Sequence, residues 1–534
     1  MKNKNFLDIN PQFQRALELM EGTKKNVFVT GRAGTGKSTL LQYWRDQTKK
    51  NIVVLAPTGV AAVNVNGQTI HSFFRFKPDI TVQKIKKLEQ QGKDTIYKKL
   101  DAIVIDEISM VRADLLDCVD KFLRLNGPDR QLPFGGIQMI MIGDLYQLPP
   151  VVAGDERQIF TTHYASPYFF SAQVFSAQQK LIHDQNEFLM ELVELGKIYR
   201  QKDEDFIELL NAVRNNSATD DQIARINERY QPSFDRDPRD FSILLTTTNL
   251  LAAEMNEKEL RKLRGELYTH KGEIHGEFDK KYLPTEVDLQ VKVGAQVMLL
   301  NNDSEGRWSN GTIGKIITIE SDPNTQANVF MVKLQGGSVV EVAPYRWDIY
   351  QFTYNASARQ IESHSIGSFT QYPLKLAWAI TIHKSQGKTF DQVVLDIGRG
   401  TFSPGQLYVA LSRCTSFAGL ILKKPIKKQH IWIDWTVVKF MTSFQYRAAA
   451  ARLSLDEKMK LIESAIAAEE KLAITYLKAS DVKSRRLIIP HRVGEMEYMG
   501  KSYLGVEAYC CERRGDRVFR VDRILDIEQV EVLI

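Results

Sequence analysis

Cysteine is scarce, with four in 534 residues: Cys118, Cys414, Cys510 and Cys511. None of the spacings suits a zinc site, and the adjacent pair cannot close an ordinary disulfide on itself. A disulfide scaffold and a structural zinc module are excluded, and a reducing compartment is expected. Long apolar runs are missing too. No stretch approaches the roughly 20 residues of a membrane-spanning helix, and the opening MKNKNFLDINPQFQ has lysines but no apolar segment of a secretory signal. A cytoplasmic protein with no membrane partner is therefore expected. Neither sign of charge dominates: 71 Lys and Arg stand against 65 Asp and Glu, a net +6 with pI about 8.8. Such mild basicity permits a nucleic-acid partner without requiring one. No internal repeat and no low-complexity tract occurs.

What is present is a series of short Val/Ile/Leu runs with helical stretches between them: NVFVTG, NIVVLAPTG, DAIVIDE and QMIMIGD before residue 150, FSILLTTTN and QVVLDIG after 240. Continuous apolar runs of this length suit strands buried on both faces of a parallel sheet, and their alternation with helices predicts α/β layers. A chain of this length exceeds one core. The expected division is an α/β domain over 1–195, a second over 196–438, a helical linker over 439–468 and a β-rich module over 469–534. Residues 73–100 read as a small insertion in the first domain. Residues 313–368 alternate apolar and polar positions between DPN and QGG turns, and read as an antiparallel β module inserted in the second.

The segment GRAGTGKST fits the phosphate-loop pattern G-x-x-x-x-G-K-[ST] and lies between a strand and a helix, the context that the motif requires. Gly31, Ala33, Gly34, Thr35, Gly36, Lys37, Ser38 and Thr39 form the expected cradle for ATP. Its glycines turn backbone N–H groups toward the phosphates, Lys37 reaches the β- and γ-phosphates, and Ser38 ligates Mg²⁺. DAIVIDEISM supplies a buried strand ending in Asp106, which would hold Mg²⁺, and Glu107, which would orient and deprotonate water. MIMIGDLYQLPPV places Gln147 after another strand, where it would sense the γ-phosphate.

These segments, together with APTGVAA, GQTIHSFF, ELGKIYRQKD, PLKLAWAITIHKSQGKTF and LYVALSRC in order, resemble superfamily 1 helicases of the Pif family, close to RecD-like enzymes. The resemblance covers roughly residues 8 to 435. It implies two RecA-like P-loop NTPase domains, with a wedge module (1B) at about 73–100 and an SH3-like module (2B) at about 313–368. It also implies an ATP- and Mg²⁺-dependent motor moving 5′→3′ on single-stranded DNA and unwinding duplexes, forks or structured DNA such as G-quadruplexes, with RNA–DNA hybrids as a further substrate and a monomer as the working state. Arg200 and Arg413 match the family's arginines, which offset charge in the transition state. Pro57, Thr58, Gly59, His71, Thr381, His383 and Lys384 occupy DNA-contact positions, and Ser385, Gln386 and Gly387 would couple the DNA track to the nucleotide pocket. An adenine-reading glutamine is implied before the phosphate loop, and either Gln12 or Gln14, flanking Phe13, is available. The family segment NGTRG reads NGTIG at 310–314, which leaves either a missing arginine contact or a plain β-turn.

The tail carries SYLGVEAYC and RVFRVDRI and resembles a WYL domain, an SH3-like β-fold of bacterial regulators. It points to a bacterial, nucleoid-associated protein. It implies a basic pocket for nucleic acid or nucleotide-like ligands, with Arg486, Tyr509, Arg513, Arg520 and Arg523 as candidates. Two functions follow: a helicase with an accessory single-strand-binding or regulatory module, or a ligand-responsive regulator whose ATPase is a switch without processive unwinding.

Overall fold

A computed structural model describes residues 9–77, 80–88, 95–152, 160, 162–175, 190–201, 203–235, 240–278, 283–321, 328–355, 360–398, 400–498 and 500–530. The chain divides into two compact units, one built from residues up to Trp432 and the other mainly from Ile433 onward.

In the first unit, β1 (Asn26–Gly31), β2 (Ile52–Ala56), β3 (Gln68–Thr69), β4 (Ala102–Ile105), β5 (Gln138–Ile142) and β6 (Met190–Leu195) form one sheet in the order β3-β2-β4-β5-β1-β6. Every pairing is parallel, with Phe28 of β1 opposite Met141 of β5 and Leu192 of β6. All residues of β4 and β5 are buried, the result of covering both faces with helices. A second parallel sheet joins Ala379–Thr381, Ile243–Thr246, Val393–Asp396 and Leu420–Leu422 in that order. These are the two RecA-like lobes.

Between the strands of the second lobe runs an antiparallel module. Its five-stranded sheet orders Val339–Val342, Asn328–Leu334, Ile313–Ser321, Gln296–Leu299 and Leu374–Leu376. A three-stranded sheet adds Tyr345–Asn355, Gln360–Gln371 and Glu273–Gly276. The antiparallel pairing thus begins at Tyr268, where Tyr268–Lys271 meets Asp288–Val291, well before the 313–368 expected from alternation. Within 73–100, the described residues are helical or irregular, and Phe73, Phe74, Phe76 and Tyr97 pack with Phe122 as an aromatic cluster.

Among its described residues, the second unit has two α-helices, Trp435–Arg452 and Leu455–Ala467, and a five-stranded antiparallel sheet. Its order is Gly515–Arg520, Lys501–Cys510, Lys483–Tyr498, Lys471–Leu477, Ile524–Val530. Ile462 and Ala465 of the second helix close one side of its core, with Leu472, Ile474, Ile488, Val506 and Ile524. Among the described residues no helix is long and apolar enough to cross a membrane.

Candidate functional site

Ligands of open α/β sheets sit beyond the carboxyl ends of the strands, and the ends of β1, β4 and β5 carry the motif residues. Gly36, at φ +85°, is the N-cap of the helix Lys37–Arg45 and offers no side chain, so the first N–H groups of that helix point outward as an anion site. A cavity of about 750 Å³ opens there, lined by Ala33 to Thr39, Asp106, Glu107, Gln147, Arg200 and Arg413, and also by Phe13, Tyr199, Gly387 and Thr389. Gly31 and Gly34 also serve a close approach. A Cβ on Gly34 would meet the Cβ of Arg200 at 2.4 Å, and one on Gly31 the Leu195 carbonyl at 2.8 Å. The segment 195–200 therefore runs directly over the phosphate loop, tied by Tyr199 N–H to Gly34 O at 2.9 Å.

Lys37 Nζ donates to Gly31 O at 2.8 Å and Arg32 O at 3.0 Å. Burial lowers its pKa, against the raising charges of Asp144, Glu107 and Asp106. Glu107 follows β4 in a left-handed conformation, φ +51°, a strain of roughly 1–3 kcal/mol for a residue other than glycine. Burial, then the neighbouring Asp106, pushes its carboxyl up to about 7, while Lys37, Arg413 and a hydrogen bond from Gln386 oppose the rise. That bond, Gln386 Nε2 to Glu107 Oε2 at 2.9 Å, joins the two lobes.

Arg413 is 1% exposed. Its Nε donates to Val409 O at 2.8 Å, its Nη1 to Ser385 O and Lys388 O, and its Nη2 to Ser412 Oγ at 2.8 Å. Burial and the charge of Arg200 lower it to about 9, which still leaves it cationic at neutral pH. Arg200 sits on the connector after β6, half-buried, with Nη1 on Ser412 O at 3.4 Å. Ser38 and Asp106 line the same cavity, and burial raises the Asp106 carboxyl. A hard dication would keep that carboxyl ionised, and Mg²⁺ needs only one or two protein oxygens beside the substrate phosphates. The donor set fits Mg²⁺.

Sequence reasoning missed a buried polar network beneath Gln147. Asp144, 1% exposed, takes Gln147 Nε2 at 3.3 Å, Arg214 Nη2 at 3.2 Å and the Tyr408 hydroxyl at 3.4 Å. The Tyr408 oxygen in turn accepts the Ala33 N–H of the phosphate loop at 2.9 Å. Arg214 also lies 3.9 Å from the centre of the Tyr146 ring. One carboxylate thus ties the phosphate loop and Gln147 to two elements of the other lobe. Asp144→Asn would leave Arg214 buried beside a neutral amide, and breaking such a pair costs roughly 3–5 kcal/mol. The expected result is a fall of several degrees in the melting midpoint and about tenfold in ATP turnover. An unchanged melting midpoint would show that the pair holds nothing together.

Gln12 and Gln14 are exposed on the first helix, and neither lines the cavity. The ring of Phe13 between them does, 3.1 Å from where a Gly36 Cβ would stand. The NGTIG loop is more than a turn. Lys388 Nζ donates to Asn310 Oδ1 at 2.6 Å, and Asn310 Nδ2 to Asn64 Oδ1 at 2.9 Å. It thereby links the end of the helix Gly59–Asn64 to the segment after Gln386.

The DNA-motif residues gather on strand ends of both lobes. Thr58 caps the helix Gly59–Asn64, accepting Ala61 N–H at 3.2 Å, and Pro57 is half-buried. His71 lies on the helix Ile70–Phe74, and burial lowers its pKa. Thr381 is 4% exposed, and its hydroxyl oxygen accepts the Lys384 N–H at 3.3 Å, so it shapes the turn that presents the exposed Lys384. In the second unit, Arg486 and Arg513 line a cavity of about 450 Å³ with Lys478, Arg517 and Asp516. Tyr509, Arg520 and Arg523 do not line it, and Arg520 pairs with Asp522 at 2.6 Å.

A phosphate loop, a strand-end Asp-Glu pair and two arginines around one cavity between RecA-like lobes define a P-loop motor ATPase. Residues 12–223 match the PIF1-like helicase family, 376–421 the UvrD-like helicase C-terminal domain and 457–529 the WYL domain. The ATP-dependent DNA helicase Pif1 of Bdellovibrio bacteriovorus is 33% identical over 450 residues, 82% of this chain and 93% of that protein. The structure of Bacteroides sp Pif1 in complex with ADP-AlF4 superposes with a TM-score of 0.73 at 36% identity, covering 82% of this chain and 97% of that one. Bacteroides Pif1 bound to ssDNA gives 0.58 at 36% identity over the same shares. The chain belongs to the PIF1-like helicase family, with a WYL domain at its C-terminal end. Its enzymatic class is ATP-dependent DNA helicase, and ATP is its fuel.

Proposed function

We propose that this helicase translocates 5′→3′ on single-stranded DNA and separates strands at single-strand/duplex junctions, hydrolysing ATP between its lobes as a monomer. The observation that carries the reading is the 2.9 Å bond from Gln386 to Glu107. Gln386 follows the Thr381–Lys384 turn, so the DNA side and the water-activating carboxylate are one bond apart.

In this reading, the loop N–H groups and Lys37 bind the phosphates and Glu107 holds and deprotonates the attacking water. Gln147 senses the γ-phosphate, and Arg200 and Arg413 balance the charge that develops. Ser38 and Asp106 would hold Mg²⁺, which when bound neutralises phosphate charge. Pro57, Thr58, Gly59, His71, His383 and Lys384 grip the strand, with Thr381 bracing Lys384. A displacement assay with 5′-tailed and 3′-tailed duplexes tests the direction: only the 5′-tailed substrate should open, and opening of the 3′-tailed one alone would refute it. Forks, G-quadruplexes and RNA–DNA hybrids are proposed as further substrates, to be ranked by the same assay.

The WYL domain we assign to accessory single-strand binding, on the four cations around its cavity. Reversing two of them, Arg486→Glu with Arg513→Glu, should weaken single-strand affinity by about tenfold and flatten its salt dependence. ATP turnover at saturating DNA should stay within twofold. Unchanged affinity would instead favour a domain that answers to a small anionic ligand and regulates the motor.

A further inference from the structure

Beside the Thr381–Lys384 turn, the segment 400–405 presents an aromatic ring to solvent. Phe402 is 58% exposed, the most exposed aromatic side chain among the described residues of the first unit. A single exposed apolar residue is ordinary, but three features set this one apart. The ring lies over the imidazole of His383, with centroids 5.9 Å apart and planes within 13°. Its backbone is fixed: Phe402 N–H donates to Oε1 of the fully buried Gln406 at 3.0 Å, and Thr401 Oγ1 donates to His430 O at 3.0 Å. The residue after His383, Lys384, is an exposed cation. A ring on an anchored backbone, a second ring near-parallel to it and a cation on the next residue are what a single-stranded nucleic acid meets on a protein, where bases stack on aromatic faces and phosphates find lysine. Burial lowers the His383 pKa, which favours the neutral imidazole and suits it to face Phe402.

We infer that Phe402 and His383 form a stacking platform for one nucleobase of the bound single strand, with Lys384 taking the adjacent phosphate. The ligand is any base, because every base offers a π-face and the platform offers no hydrogen-bonding edge on Phe402. This rests on the proposed DNA reading and adds to it a residue outside the motifs that carried that reading. The platform would mark each step of the strand by a base rather than by backbone charge alone, with the nearby Gln386–Glu107 bond on its path to the nucleotide.

The test compares the full chain with Phe402→Ala, Phe402→Leu and Phe402→Trp. Each binds a thymidine oligonucleotide and a matched oligonucleotide of abasic residues, which keeps the phosphates and removes the bases. Phe402→Ala should weaken binding of the thymidine strand by about tenfold and leave the abasic strand within twofold. Phe402→Trp should restore affinity and Phe402→Leu should not. Equal losses on the two strands, no loss on thymidine, or rescue by leucine as complete as by tryptophan would overturn the platform. Failure of the unmodified chain to bind either strand would overturn the DNA reading itself.

Discussion

Lys37→Ala is expected to lower ATP turnover by at least about 10³-fold and abolish unwinding, while single-strand affinity stays within a few fold. The ammonium group lines the cavity and spans Gly31 O and Arg32 O. It therefore does two things: it sets the curve of the loop that turns its N–H groups toward phosphate, and it supplies the positive charge nearest the transferring group. Alanine removes both. It also removes a positive charge that acts on Asp106 and Glu107 in the cavity wall and on Asp144 beneath it. Nothing in the DNA motifs depends on it, since Thr58, His71 and Lys384 are held by their own caps and turns. Steady-state ATPase with saturating single strands, beside fluorescence-anisotropy binding of the same strand, separates the two effects. Turnover above one hundredth of the starting value would show that the loop N–H groups and the two arginines suffice without Lys37.

Part of this site was legible in the residues alone, and the reason is local. The phosphate loop needs a strand, glycines at fixed offsets and a helix start, all within one stretch of chain, and Asp106 and Glu107 end a strand whose four apolar residues announce its burial. The Asp144 network is the opposite case. Arg214 lies 70 positions from Asp144 and Tyr408 lies 264 away, and they reach it from the helices Glu204–Arg214 and Gln406–Leu411 of the other lobe. An arginine inside a helix and a tyrosine in an apolar stretch give no sign that they share a carboxylate. Phe13 is an apolar residue on the buried face of the first helix, which in sequence looks like any core residue. In the antiparallel module, Gln296–Leu299 is buried at every residue and lacks the alternation that marks a strand with one wet face, while Tyr268–Lys271 and Asp288–Val291 alternate over only four residues each, too short a signal to stand out in the sequence. In the tail, Arg486 and Arg513 line one cavity, while Arg520 in the same pattern pairs with Asp522. Alternation gives a side chain's face and says nothing of its partner.

Arg413→Lys keeps the charge and should still lower ATP turnover by about 10³-fold, with the KM for ATP within a few fold. The guanidinium works here as a planar fork. Four of its N–H groups are directed at Val409 O, Ser385 O, Lys388 O and Ser412 Oγ, which fixes its plane at the wall of the nucleotide cavity. An ammonium is a point donor on a flexible stem and cannot span those acceptors. The same fork fastens the backbone of 385–388, the segment from which Gln386 reaches Glu107. The substitution therefore removes a positioned charge from the transition state and loosens the link between the DNA side and the catalytic carboxylate. The second effect has its own signature: the stimulation of ATPase by single-stranded DNA should fall along with the maximal rate. A lysine variant that keeps full stimulation at a reduced rate would confine Arg413 to charge compensation. One that keeps more than a tenth of the rate would move that task to Arg200, whose guanidinium lines the cavity from the opposite connector.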